Sequence, residues 1–137
     1  MAFNDIAIRI NAYEQTIKTL GNEKVKGQPL IRELAIGRTK QEAFEVARKP
    51  LLAKYESYAT WGQTDTKKER TLSDTFEEFC RDRFIIGDEQ EVVDEILKYK
   101  ESFGVDNLLV RVQWPGLGQG EVLKTLDHLG KIIATVS

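Results

Sequence analysis

The feature that most constrains this chain is an alternation in its last third. Phe84-Ile85-Ile86 runs into Gly87, then Asp88-Glu89-Gln90-Glu91, a helical apolar pattern, Gly104, and a second apolar run, Leu108 to Val112. An Asp followed three residues later by a Glu marks a helix start, because each side chain satisfies a free backbone N–H. Glycine beyond the periodic run stops the helix by taking the left-handed conformation at low cost. Two apolar runs bracketing such a helix predict a β-α-β crossover with parallel strands. Folds built from these units keep their chemistry at strand C-termini, here Arg111, Gln113 and Trp114.

The same grammar extends upstream. Ile6, Ile10, Tyr13, Ile17 and Leu20 recur at spacings of four and three, which predicts an amphipathic helix started by Asn4 or Asp5 and ended by Gly21-Asn22. A polar loop over 23–28 leads to a strand over 30–36. Thr39-Lys40-Gln41-Glu42 is a second capping signature, opening a helix to about Trp61 that Pro50 is expected to kink or divide. Residues 62–71 read as a charged loop, and Ser73 as the cap of a short helix to about Asp82. A strand over 83–86, the helix from Asp88 to Phe103, a strand over 106–114 and a helix over 120–135 complete the chain. The three strands are expected in one parallel sheet, in sequential order, with the last two helices on one face.

Composition narrows the function classes. The 137 residues are 41% hydrophobic and 31% charged, with a net charge of −2, the profile of a single soluble domain with no electrostatic bias toward nucleic acid. No apolar run approaches the roughly 20 residues that span a bilayer, and the N-terminus lacks the basic and apolar regions of a signal peptide. The cytoplasm is the expected address. Cys80 is the only cysteine and His128 the only histidine, so neither a disulfide nor a zinc site is expected. Cys80 reads as a buried thiol, and His128 as a surface or helix-packing residue. Gly116-Leu117-Gly118-Gln119-Gly120 fits neither a dinucleotide fingerprint nor a Walker motif, and reads as a flexible strand-to-helix connection.

Along the last strand, Leu108, Val110 and Val112 share one face, while Leu109, Arg111 and Gln113 share the other. Two readings of Arg111 stand together: a structural ion pair with Glu33 on the strand over 30–36, or a group facing a ligand. Trp114 is either a core aromatic or a platform for a planar ring.

Several blocks carry a family resemblance: Pro29-Leu30-Ile31-Arg32-Glu33-Leu34, Lys54-Tyr55-Glu56-Ser57-Tyr58-Ala59-Thr60-Trp61-Gly62-Gln63, Asp82-Arg83-Phe84-Ile85-Ile86-Gly87, and Gly104-Val105-Asp106-Asn107 through Trp114-Pro115-Gly116. In order and spacing they resemble the C-terminal portion of the bacterial-luciferase-like, flavin-dependent monooxygenases. The resemblance implies an α/β chain forming a partial (β/α)8 TIM-barrel segment: a leading helix and about three parallel β/α units, strands six to eight, over residues 1–137. It implies reduced FMN, or a deazaflavin, as cofactor, a small organic substrate, no metal, and Arg111, Gln113 and Trp114 lining the flavin or substrate pocket. The turn at Gly87-Asp88 resembles a barrel phosphate site, but Asp88 places a negative charge there and reads as a helix cap. A complete barrel needs about 250 residues, so the chain alone is expected to be inactive. The alternative is a non-enzymatic assembly subunit, joined to a protein partner or a second copy through open strand edges near 30–36 and 107–113.

Overall fold

Five consecutive buried residues, Arg32 to Ile36, mark a strand covered on both faces, and such a strand belongs in the interior of a parallel sheet. The structure, a computed structural model, describes residues 2–22, 29–60, 80 and 83–137, and of 54–60 the backbone alone. The buried run lies in β1 (Pro29–Ile36), between α1 (Phe3–Leu20) and α2 (Lys40–Thr60). After these come β2 (Ile85–Gly87), α3 (Glu89–Phe103), β3 (Asn107–Arg111) and α4 (Gln119–Val136).

The sheet is parallel and three-stranded, in the order β2-β1-β3. The C-terminal part of β1 pairs with β2, Leu34 opposite Ile85 and Ile36 opposite Gly87. Its N-terminal part pairs with β3, from Pro29 opposite Asn107 to Glu33 opposite Arg111. The expected parallel sheet is present; the expected sequential order is not. Nor is 30–36 an edge: β1 is central, and β2 and β3 are the outer strands. The physical reason is burial. β1 is apolar enough on both faces to sit in the middle, whereas β3 alternates exposed and half-buried residues as an outer strand does.

Strand order fixes the layers. The chain moves one way from β1 to β2 and back past β1 to β3, so right-handed crossovers put α2 and α3 on opposite faces. On one face Leu34, Ile36 and Ile85 pack with Ile6 of α1, Val92, Val93, Ile96 and Tyr99 of α3, and Ile132 of α4. The expectation that the last two helices share a face therefore holds. On the other face Ala35 packs with Phe44, Ala47 and Leu51 of α2 and with Cys80, Phe84 and Trp114. Burying each large side chain contributes about 1.5–3 kcal/mol. The described residues thus form an open three-stranded parallel sheet with helices on both faces.

Local signals explain the element boundaries. Asp88 caps α3 through a reciprocal box: its Oδ1 accepts the Glu91 N–H at 2.9 Å, and Glu91 Oε1 accepts the Asp88 N–H at 3.2 Å. Asp88→Ala is expected to cost about 1 kcal/mol, read as a lower urea midpoint at unchanged slope. Thr39 Oγ1 accepts the Glu42 N–H at 3.1 Å, while the Glu42 carboxylate takes Arg38 Nε at 3.2 Å. Gly37 is needed because a Cβ there would lie 2.8 Å from the Ala43 backbone nitrogen. His128 Nδ1 sits 2.7 Å from Glu89 Oε1 and ties α4 to the first turn of α3, the helix-packing role expected of it.

Three further expectations change. α2 is one helix through Pro50, so of the two outcomes expected the proline does not divide it; Pro50 is buried against the turn at Gly116, and this packing offsets the roughly 3 kcal/mol that a helix-interior proline costs. In α1 the expected stripe holds at Ile6, which is buried, and at Ile10, Tyr13 and Ile17, which are half-buried, while Leu20 is exposed; the helix starts at Phe3 with Ala2 at its cap position, so neither Asn4 nor Asp5 caps it. The strand expected to reach 113 or 114 ends at Arg111, and that expected over 83–86 spans Ile85–Gly87. The loop over 62–71 and all of the 73–82 helix but Cys80 lie outside the described residues.

Candidate functional site

Parallel α/β sheets hold ligands beyond the C-terminal ends of their strands, so that end is the place to test Arg111, Gln113 and Trp114. The register brings Ile31 beside Leu109 and Glu33 beside Arg111 on one sheet face. Arg111 Nη1 lies 3.4 Å from Glu33 Oε1, the arginine side chain 47% exposed and the glutamate 11%. The expected pairing is therefore present. With one partner half in solvent it contributes at most about 1 kcal/mol; its main effect is to hold the guanidinium over the sheet.

Gln113 and Trp114 part company with Arg111. Once the strand has ended, side chains no longer alternate, and Trp114 turns under α2 with only 1% of its surface exposed. Leu117 N–H donates to the Trp114 carbonyl at 3.1 Å, and Gly116 has φ of +90°. With Pro115 second and Gly116 third, this is the geometry of a type II turn. The turn opens the strand-to-helix connection expected there. Gln113 is exposed and donates its amide to the same Trp114 carbonyl at 3.3 Å. Trp114 is thus a core aromatic, and its indole Nε1 is buried without a hydrogen-bond partner among the described residues.

A cavity of about 140 Å3 opens elsewhere at this end, lined by Lys40, Phe44, Cys80, Phe84, Ile86 and Glu91 among others. Its polar rim comes from the first turns of α2 and α3: Lys40 Nζ lies 4.0 Å from Glu91 Oε2 and 5.9 Å from the Phe44 ring centre. Sequence reasoning placed Lys40 and Glu91 inside capping signatures and went no further. Their position, directly after two parallel strands, was the signal that marks them as rim residues.

These residues do not fit an enclosed flavin site. Two cavities lined by described residues hold about 140 and 10 Å3, each smaller than the roughly 300–1,000 Å3 of ordinary ligand sites. Trp114 presents no ring face, Arg111 is paired, and Asp88 with its capping box occupies the helix start that resembled a phosphate site. Among the described residues no group of three or more His, Cys, Asp or Glu is placed to hold a metal ion, and no helix is long and apolar enough to cross a membrane.

No protein-family model matches the sequence, and no curated protein matches it. A solved structure does match: the crystal structure of monooxygenase RslO1 from Streptomyces bottropensis, at 12% identity and a TM-score of 0.64. The match covers 93% of this chain but only 37% of that one. What the two share is a fold, and this chain is similar to just over a third of the monooxygenase.

Proposed function

We propose that this chain is a segment of a luciferase-like, flavin-dependent monooxygenase fold, acting in the cytoplasm on a small organic substrate through FMN or a deazaflavin. The observation that carries this reading is the fold likeness to a monooxygenase along 93% of the chain. The sequence blocks at 29–34, 82–87 and 104–116 support it independently. The flavin would supply the oxygen chemistry, and the protein positioning and water exclusion. No residue of this chain is assigned a catalytic step.

The reading makes a structural demand. In a closed barrel, successive strands are neighbours, so β3 would have to leave β1 and lie beside β2 when the remaining strands are present. Arg111 and Gln113 would then face an interior lined from all sides.

The test is a fluorescence titration of FMN, alone and with a polypeptide supplying a barrel's first five strands. The isolated chain is expected to bind FMN weakly or not at all and to show no turnover, because affinity depends on a largely enclosed pocket. The added segment should restore binding. Tight stoichiometric binding by the chain alone would overturn the argument. A second reading, a non-enzymatic assembly subunit, is favoured by the large apolar side chains left in solvent on α4.

A further inference from the structure

Helix α4 carries more apolar surface than its place in the fold uses. Val122, Thr125 and Ile132 are buried, and Leu129 and Val136 pack partly against the same core. Leu123, Leu126 and Ile133 remain 55%, 44% and 56% exposed. Together with Gly130 these exposed positions recur at spacings of three, four and three, the repeat of a helix-helix seam. Scattered surface leucines need no explanation, but a continuous stripe does. His128, nearly half a turn round the helix from this stripe, binds Glu89 of α3. On this face α3 lies against β2 and α4 against β1. The stripe therefore looks away from α3, toward the side of β3, an outer strand.

We propose that the stripe is the seam of a symmetric dimer, in which α4 packs antiparallel against α4 of a second copy. Charge argues for this occupant and this direction. One flank of the stripe carries the exposed Asp127 and Lys131; the other carries Val122 and Leu129, committed to the chain's own core. An antiparallel pair sets like flank against like flank, whereas a parallel pair sets the charged flank against the apolar one. Aligned about Leu129–Gly130, the antiparallel arrangement puts Leu126 against the partner's Ile133 and Asp127 beside the partner's Lys131. Two-fold symmetry repeats each contact. Lys124, the other basic residue nearby, is already held by Glu121 at 3.3 Å. Gly130 at the centre has no side chain to hold the two backbones apart.

Sedimentation velocity of the chain over a range of concentrations tests this, and its readout does not involve flavin. The expected result is a reversible monomer–dimer equilibrium. Leu126→Asp with Ile133→Asp should weaken it about 100-fold with the helical circular dichroism unchanged, since both positions are exposed. Asp127→Lys alone should weaken it roughly fivefold by setting lysine against lysine twice. Adding Lys131→Asp should restore the original strength; because these positions are also i and i+4 on one helix, the helical circular dichroism of each charge variant must stay constant for the rescue to report the antiparallel contact. A chain that stays monomeric, a dimer indifferent to the double aspartate variant, or a charge reversal without rescue would each overturn the proposal. So would a monomer whose stripe is covered only by a separately supplied barrel segment.

Discussion

Replacing Trp114 by alanine is expected to lower the unfolding free energy by about 4 kcal/mol, the middle of the range for removing a buried aromatic. The side chain is 1% exposed and joins Ala35 of the sheet to Phe44, Ala47 and Leu51 of α2. Its loss leaves a cavity that a rigid type II turn on one side and a helix on the other cannot close. Trp114→Phe should cost far less, about 1 kcal/mol, because the smaller ring keeps most of the packing and removes an indole N–H that has no partner among the described residues. Urea unfolding followed by circular dichroism measures both. A loss below about 1 kcal/mol for the alanine variant would mean that the ring is not structural, and would revive its reading as a ligand platform.

The second large effect has opposite signs at the two ends of one contact. Arg32 is buried; its Nε donates to the Tyr99 hydroxyl at 3.1 Å, while its Nη2 has no hydrogen-bond partner among the described residues. The guanidinium also lies 5.3 Å from the Tyr99 ring centre. Tyr99→Phe keeps the ring, with its contacts to Phe3 and Phe103, and removes the hydroxyl that accepts from Arg32. That strands a buried donor, and the expected cost is about 2 kcal/mol. Arg32→Met removes the charge together with its unmet donor and keeps much of the volume, so stability should hold or rise by about 1 kcal/mol. Both are read from urea midpoints. If Arg32→Met costs more than Tyr99→Phe, the arginine is a net stabiliser and the burial argument is wrong.

Much of this architecture is legible in the residues, because the signals involved act over one helical turn. Asp88 with Glu91, Thr39 before α2, and Gly104 after α3 depend on contacts between residues at most four apart, so their pattern survives without tertiary knowledge. The Glu33–Arg111 pair was also readable, because side-chain alternation puts each on a definite face of its strand. Strand order was not, since a helix as long as α3 can carry the chain to either side of β1. A clue lay in the apolar run Leu34-Ala35-Ile36, which marks a strand covered on both faces.

The candidate site was less legible than the fold. Pro115-Gly116 occupies the two central positions of a type II turn, and reading it so would have ended the strand early and put Trp114 in the core. Arg32 alternates onto the same face as Leu30 and Leu34, so its burial was equally open to inference. The rim positions of Lys40 and Glu91 could be read from their place directly after two strands, but the cavity between them could not, because it depends on how α2 and α3 sit across β2.

The central place of β1 has a consequence for how the chain is made. Its N-terminal half pairs only with β3, and the residues of one such contact, Glu33 and Arg111, are 78 positions apart. A ribosome adding about 5–20 residues per second needs on the order of ten seconds to cover that distance. Until then Leu30 and Ile31 belong to a nascent strand with an open edge, the kind of template on which wrong partners assemble. Pro29, at the first position of the strand, offers no N–H to such a partner. Burial of β1 in the finished sheet thus leaves half of it waiting for β3 during synthesis, and any demand for chaperones by this strand falls on that interval rather than on the folded state.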